Sequence, residues 1–175
     1  MKTIILTSSR KILGNSEIEK YLPKPLSESK ILYITTATNK SEDIHHVIET
    51  REIFKEMAVD YTEYDIEEKT EEELRTAFSE CDIVYMEGGN TFYLLKVIRE
   101  TGFEKLVKEA IERGVVYWGA SAGSYVACPS IIMATWTKGR DRHGIVDFTA
   151  MNLVSFVVKA HYVPEMEDVI REKSK

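Results

Sequence analysis

A serine stands between two glycines in the segment Gly119–Gly123 (GASAG). The G-x-S-x-G spacing is typical of a sharp strand-to-helix turn that holds a serine nucleophile at its tip. The residues two before and two after the serine approach each other in such a turn, which favours glycine at both positions. The Ala122 N–H would lie at a helix N-terminus and could stabilise an oxyanion. A helix packed tightly on its strand, or an anion-binding turn without chemistry, would give the same pattern.

A second glycine-bearing turn lies at Glu87–Asn90 (EGGN). Gly88 and Gly89 allow the backbone to direct N–H groups toward a bound group, and Asn90 can cap the helix that follows. The turn could form the second half of an oxyanion hole, although taken alone it is better explained as an ordinary strand-to-helix loop. It is not a phosphate loop, because the G-x-x-x-x-G-K-[ST] and G-x-G-x-x-G spacings are missing.

The cysteines and histidines do not form a metal-binding pattern. Cys81 and Cys128 form no CxxC pair, and His45 and His46 would point about 100° apart on a helix. We therefore expect no metal and no cofactor. Cys128 suggests a third interpretation, a cysteine amidotransferase-like enzyme, but it lies seven residues past Ser121 and its surroundings are typical of a core cysteine.

Alternating strands and helices must position the two turns. Short β-branched and apolar runs predict the strands, and polar caps followed by apolar spacing predict the helices. The predicted strands are Thr3–Thr7, Ile31–Thr36, Asp60–Ile66, Asp82–Met86 and Val115–Trp118, and the predicted helices cover 41–57, 71–79, 91–100, 103–114 and 122–127. This order is typical of an α/β fold with a mostly parallel sheet and helices on both faces. Both turns follow strands, at the sheet edge where such folds bind ligands.

Length and charge restrict the class of protein. The 175 residues predict a single domain spanning 1–175. A formal net charge of −6 argues against nucleic acid and anionic membranes as partners. The N-terminal apolar run is too short for a signal peptide, and no segment has the roughly 20 apolar residues that span a bilayer. A cytoplasmic location is the expectation.

Four segments together resemble one known family. They are Leu6–Ser9 (LTSS), Glu87–Leu95 (EGGNTFYLL), Gly119–Ile131 (GASAGSYVACPSI) and Ala160–Tyr162 (AHY). The chain resembles peptidase family S51, which includes dipeptidase E and cyanophycinase. The resemblance implies a three-layer sandwich that is flavodoxin-like or class I glutamine amidotransferase-like. It also implies hydrolysis of small dipeptides, with aspartate at the N-terminus in the case of dipeptidase E, through an acyl-enzyme and without a cofactor.

The resemblance also assigns roles to particular residues. Ser121 would be the nucleophile and His161 the general base. Gly88 or Gly89, together with Ala122, would supply the oxyanion donors. The apolar run Leu153–Lys159 predicts a further buried strand, and His161 would lie just past its carboxyl end, at the edge where Ser121 is expected.

The triad acid and the substrate contacts follow less directly. Residues 122–140 contain no Asp or Glu, although relatives usually place the acid about eleven to fifteen residues after the serine. Asp141 and Asp147 are the next carboxylates, and Glu87 is a further source. For substrate binding we expect Asn90, Thr91 and a cation. The candidate cations are Arg140, Arg142 and Arg171.

Two expectations follow from the missing acid and from the C-terminus. The first is an alternative function, a catalytically impaired protein on the same fold that binds a small ligand. The second concerns assembly: the chain ends fourteen residues after His161, which is short for the family. A shortened end could expose a sheet edge and favour a homodimer.

Overall fold

Five parallel strands form the central sheet. The structure is a computed structural model that describes residues 2–41, 43–136 and 141–173. The strands are β1 (Ile4–Thr7), β2 (Lys30–Ile34), β3 (Asp60–Tyr64), β4 (Ile83–Met86) and β5 (Val116–Ala120). Their spatial order is β1-β5-β4-β2-β3, and every neighbouring pair is parallel. The predicted α/β fold with a mostly parallel sheet is confirmed.

Helices connect these strands and cover the sheet. They are α1 (Ser16–Glu19), α2 (His45–Glu56), α3 (Glu71–Ser79), α4 (Thr91–Thr101), α5 (Phe103–Glu112), α6 (Ala122–Ala127) and α7 (Glu167–Lys173). A capping box formed by Thr70 and Glu73 opens α3, and Asn90 caps α4 through its side-chain oxygen, as the sequence predicted for Asn90. Gly102 adopts a left-handed conformation, φ 69°, between α4 and α5, a backbone conformation that glycine adopts at little cost.

The two faces of the sheet carry separate cores, which gives three layers. On one face, Val47 and Phe54 of α2 join Tyr33, Tyr85 and Trp118 of the strands. The other face is covered by helices α3 to α6, whose buried residues include Leu74, Phe92, Leu106 and Val126. Because β2, β4 and β5 are covered on both faces, their residues are nearly all apolar. Each large apolar side chain buried there contributes about 1.5–3 kcal/mol relative to exposure.

The strand order defines a crevice for ligands. Read from β3, the order is β3-β2-β4-β5-β1, so the chain moves outward from β2 in one direction and from β4 in the other. Doubly wound sheets bind ligands beyond the carboxyl ends of the strands at such a reversal. The first four positions match the flavodoxin order, and β1 occupies the place of the fifth strand. Sites after β2, β4 and β5 can therefore meet at one edge.

The prediction of a strand at Leu153–Lys159 is wrong. This segment consists of bends and irregular backbone, and Phe156 is 55% exposed. The start of the segment is fixed to the end of α6, because Leu153 N–H donates to Ala127 O. Met151 N–H, just before the segment, donates to Val126 O. The apolar composition satisfied the strand pattern, but these backbone groups pair with a helix end instead of a neighbouring strand.

Candidate functional site

Ser121 occupies a strained turn between β5 and α6. Its backbone angles are φ 48° and ψ −103°, a conformation that residues other than glycine rarely adopt. Such a conformation costs about 1–3 kcal/mol and persists only where the surrounding structure enforces it. The predicted strand, turn and helix around Ser121 are all present. The turn presents the serine at the carboxyl edge of the sheet.

The glycines around Ser121 are required by space. A Cβ on Gly119 would lie 2.6 Å from the backbone carbon and oxygen of Gly123. A Cβ on Gly123 would overlap the carbonyl oxygen of Met86 in the neighbouring strand. These are backbone contacts that cannot move aside without displacing β4 or α6, so the turn closes only with glycine at both positions.

A buried serine braces the same turn. The Ser124 hydroxyl, in α6, lies 2.7 Å from Gly119 O and 2.8 Å from Thr7 O, and it accepts from the Thr7 N–H at 3.0 Å. Ser121 N–H also donates to Thr7 O at 2.9 Å. These bonds tie β1 to the turn and fix the position of Ser121 relative to the sheet. The second serine of the GASAGS segment is thus a structural partner of the first.

His161 contacts the Ser121 hydroxyl. Its Nε2 lies 2.8 Å from Ser121 Oγ, a normal distance for a hydrogen bond. The backbone N–H of His161 donates to Ser8 Oγ at 3.3 Å, and the residue has a positive φ of 56°. The serine and histidine that the sequence singled out are therefore brought together, although no strand precedes His161. Hydroxyl and imidazole in this arrangement can exchange a proton.

An open cavity lies over Ser121 and His161. Its volume is about 390 Å³, within the range of small-ligand sites. It is lined by Ser8, Ser9, Arg10, Ser41, Asp43, His46, Glu87, Gly88, Gly89, Ala120, Ser121 and His161. These residues come from the segments after β1, β2, β4 and β5 and from the His161 loop. The cavity thus collects the carboxyl-end loops that the sheet order brings together.

The predicted oxyanion donors differ in their surroundings. Ala122 begins α6, so its N–H belongs to the first helical turn, whose N–H groups have no intrahelical partner. Gly88 borders the nucleophile, since a Cβ built on it would lie 3.3 Å from Ser121 Cβ. The Gly88 N–H, however, donates to Glu87 Oε1 at 2.7 Å. Gly88 therefore lies close enough to Ser121 to contribute an oxyanion donor, but its N–H is already bonded to the Glu87 carboxylate.

Glu87 is buried beneath the glycine turn, with 2% of its surface exposed. Its Oε2 lies 2.7 Å from both the Tyr33 and the Thr50 hydroxyl oxygens, and its Oε1 accepts from Gly88 N–H. Burial, followed by the nearby Glu87 charge, raises the pKa of Tyr33 far above its usual range. The Tyr33 phenol therefore remains a hydrogen-bond donor. Glu87 stands near the site as a brace of the glycine turn, and its contacts are with these three groups.

Asn90 and Thr91, the predicted substrate contacts, are not among the residues that line the cavity. Asn90 Oδ1 accepts from the N–H groups of Phe92 and Tyr93, and its Nδ2 donates to Asp141 O at 3.0 Å. Thr91 is buried, with 5% exposed. Neither residue belongs to the cavity lining, because the start of α4 uses them for capping and packing. Arg140 lies outside the described residues.

The two predicted acids are held outside the cavity lining. Asp147 accepts from Thr149 N–H at 2.9 Å and pairs with Arg99 at 3.2 Å. The Thr149 N–H lowers the pKa of the Asp147 carboxyl. Asp141 accepts from His143 N–H at 2.8 Å, and its side chain is 75% exposed. Both carboxylates are therefore bonded within the loop that packs on α4, whereas the sequence predicted that one of them would lie beside His161.

One cation in the cavity lining was not among the residues selected from the sequence. Arg10 lines the cavity and forms an ion pair with Glu49 of α2. Arg142, by contrast, lies over the rings of Phe92 and Phe148, and Arg171 pairs with Glu167 of α7. Arg10 follows β1 directly, so the rule that ligands bind beyond strand carboxyl ends would have selected it. His46, in the first turn of α2 after β2, was also missed, and the same rule would have selected it.

Cys128 is buried away from the cavity. Its thiol contacts Ser124 O at 3.4 Å, and burial raises its pKa. A reactive cysteine needs an accessible thiolate, so this environment argues against the cysteine interpretation. Among the described residues, no group of His, Cys, Asp and Glu side chains could hold a metal ion. None of the helices in the described ranges is long and apolar enough to cross a membrane.

Comparison with known structures supports the fold. A protein of Listeria monocytogenes EGD-e provisionally named peptidase E superimposes with a TM-score of 0.84 at 27% identity, covering 99% of this chain and 87% of that one. A peptidase from an acI-B1 actinobacterium, at 18% identity, shares the fold with a TM-score of 0.63 over 87% of this chain and 64% of its own.

Comparison of sequences identifies the family. An uncharacterized peptidase of Pasteurella multocida is 31% identical over 78% of this chain and 67% of its own length. One from Listeria monocytogenes serovar 1/2a is 31% identical over 93% of this chain and 78% of its own. Peptidase E of Nostoc is 29% identical over 92% of this chain and 66% of its own. The model of peptidase family S51 matches residues 4–174, and the chain therefore belongs to that family.

Proposed function

We propose that this protein is a serine-type peptidase in which Ser121 attacks the scissile carbonyl and His161 serves as general base. The observation that carries the proposal is the 2.8 Å contact between Ser121 Oγ and His161 Nε2 at a strained, cavity-facing turn. Strain of this kind at an exposed hydroxyl serves positioning more readily than folding. Membership in family S51 supports a peptidase.

The reaction follows from this geometry. His161 takes the Ser121 proton while Oγ bonds to the substrate carbonyl carbon, giving a tetrahedral oxyanion that the Ala122 N–H and a glycine N–H of residues 88–89 stabilise. The oxyanion collapses, the C–N bond breaks, and the proton on His161 passes to the leaving amine. Water then attacks the acyl-enzyme and gives a proton to His161. The second tetrahedral intermediate collapses, the bond between the acyl carbon and Oγ breaks, and His161 returns the proton to Ser121 Oγ, which releases the acid and the free enzyme.

The substrate class is a small dipeptide with an acidic N-terminal residue. The cavity of about 390 Å³ suits a ligand of dipeptide size. Among the described residues that line it, Arg10 is the arginine, and its guanidinium can bind a carboxylate in a bidentate manner. Glu49 holds Arg10 from the α2 side, which orients the planar group before substrate arrives. These features favour Asp-X dipeptides.

Hydrolysis of Asp-X dipeptides tests the proposal. Purified protein is expected to release free aspartate, and His161→Ala is expected to lower kcat by at least about 10³-fold, since the serine loses its base. His45→Ala, an exposed histidine of α2, is the matched control and should retain full turnover. Turnover that survives His161→Ala would contradict the assigned base.

A ligand-binding protein without turnover is the second candidate. The observation that favours it is that Asp141 and Asp147 lie outside the cavity lining. It would bind Asp-X dipeptides and raise the melting temperature by mass action, yet release no aspartate. Measured turnover above the His161→Ala background excludes this candidate, and a thermal shift without turnover establishes it.

Substitution of Arg10 tests the acidic preference. Arg10→Met keeps the length of the side chain and removes the charge, so KM for Asp-X is expected to rise about 10- to 100-fold, the cost of a lost charged hydrogen bond. KM for the corresponding Ala-X dipeptide should change little. Arg51→Met serves as the control, because Arg51 pairs with Glu63 and is not among the residues that line the cavity, so both KM values should stay at the wild-type level. An equal effect on Asp-X and Ala-X would show that Arg10 acts on the fold alone.

A further inference from the structure

The peptide groups of Gly88 are held on two sides by different side chains. The N–H of Gly88 donates to Glu87 Oε1 at 2.7 Å, and its carbonyl oxygen lies 3.2 Å from His46 Nε2. A carbonyl oxygen only accepts hydrogen bonds, so Nε2 of His46 must carry the hydrogen. His46 is half-buried in the cavity lining. The His46 ring therefore holds the backbone of the Glu87–Asn90 turn through a hydrogen bond to the Gly88 carbonyl.

The sheet order places His46 and Ser121 on opposite sides of this turn. Ser121 follows β5, the glycine turn follows β4, and His46 opens the helix after β2, while the order in the sheet is β5-β4-β2. A Cβ on Gly88 would reach within 3.3 Å of Ser121 Cβ, which confirms that the turn borders the serine. The Gly88 carbonyl is thus drawn toward α2, away from the nucleophile.

The direction of that carbonyl fixes the direction of the next N–H. The Gly88 carbonyl and the Gly89 N–H belong to one planar trans peptide, so they point in opposite directions. We infer that His46 is a positioning residue: by holding the Gly88 carbonyl on the α2 side, it directs the Gly89 N–H toward the oxyanion position beside Ser121. This inference rests on the proposed function.

The surrounding contacts favour the same orientation. Gly89 has a φ of 143°, which glycine adopts at little cost, and a Cβ on it would overlap the backbone of Ala37. Asn90 N–H donates to Ala37 O at 2.8 Å, which holds the far end of the turn. Thr50 links the two side chains that hold Gly88, because its hydroxyl lies 2.9 Å from His46 O and 2.7 Å from Glu87 Oε2. Rotation of the Gly88–Gly89 peptide would break the bond to His46 and present a carbonyl to the oxyanion.

This role differs from that of a second general base. Both the neutral Nε2–H tautomer and the imidazolium can donate to the Gly88 carbonyl. A residue that acts only through this donor should leave the pH profile of the reaction unchanged when an uncharged donor replaces it. Glutamine provides such a donor at the end of a side chain of similar reach.

The experiment compares His46→Leu, His46→Gln and His45→Leu with the wild type. The kcat and KM for an Asp-X dipeptide, the rate of labelling by a fluorophosphonate probe, and the pH profile of kcat/KM are measured for each. His46→Leu is expected to lower kcat about 10- to 100-fold and to slow labelling similarly, because one oxyanion donor loses its position. KM should change less than about threefold, since the ground state does not use this donor. Circular dichroism and the melting temperature verify the fold.

The remaining variants decide the interpretation. His46→Gln should recover kcat to within about threefold of the wild type with the same pH profile, and His45→Leu, exposed on the same helix, should match the wild type. A folded His46→Leu protein with wild-type kcat would overturn the inference. Loss of activity in His46→Gln with an altered acidic limb would overturn it in favour of proton transfer by His46. A wild-type protein that neither hydrolyses nor labels would overturn the proposed function first, and this inference with it.

Discussion

Replacing Ser121 by alanine is expected to lower kcat/KM for Asp-X dipeptides by at least about 10⁴-fold and to abolish labelling by a fluorophosphonate probe. The hydroxyl at 2.8 Å from His161 Nε2 is the group in this cavity that is paired with an imidazole in the manner of an activated nucleophile. Alanine leaves His161 and the oxyanion donors in place but removes the atom that would form the acyl-enzyme. Residual turnover would come from water alone.

The fold should survive this substitution, which makes the loss interpretable. Alanine at φ 48° carries a backbone cost similar to that of serine, so the melting temperature should shift by only a few degrees. Ser79→Ala, an exposed serine at the end of α3, controls for the loss of a hydroxyl and should react at the wild-type rate. If the probe labels wild type and Ser121→Ala equally, the nucleophile lies elsewhere.

The turns of the site could be predicted because their constraints are local. A serine at a left-handed φ between close-packed backbones requires glycine two residues before and after it, and GASAG states this requirement within five residues. The cap at Asn90 and the capping box at Thr70 are equally local hydrogen bonds. The parallel sheet followed from the alternation of apolar runs and helices.

The parts that could not be predicted depend on long-range placement. Arg10 and His46 stand in segments that follow strands, which the sequence could indicate, but their meeting in one cavity depends on β1 and β2 flanking the central pair of strands, and this order becomes visible only in the folded sheet. His161 meets Ser121 from an irregular segment whose composition resembled a strand. Asn90 lies in one of the segments that carried the family resemblance, but its polar atoms are used by α4 and by the loop at Asp141.

Gly119→Ala is expected to lower the free energy of unfolding by at least about 3 kcal/mol. The added Cβ would lie 2.6 Å from the backbone carbon and oxygen of Gly123 and 2.7 Å from Ser124 N, distances at which the strand or α6 must move. Overpacking of a close backbone contact costs about 1–3 kcal/mol or more. Displacement of α6 also disturbs the Ser124 bonds to Thr7 and Gly119, each worth about 1 kcal/mol.

Gly102→Ala is the matched comparison for Gly119→Ala. Nothing lies within 4 Å of a Cβ at Gly102, so its cost is limited to the left-handed backbone at φ 69°, about 1 kcal/mol. Urea unfolding of both variants gives the two free energies through the midpoint and slope. The Gly119 variant should also label slowly at temperatures where it remains folded, because movement of α6 carries Ser121 and the Ala122 N–H away from His161. Equal stability of the two variants would show that β5 and α6 can separate without loss, and the close packing of the serine turn would not be what holds Ser121 in its strained conformation.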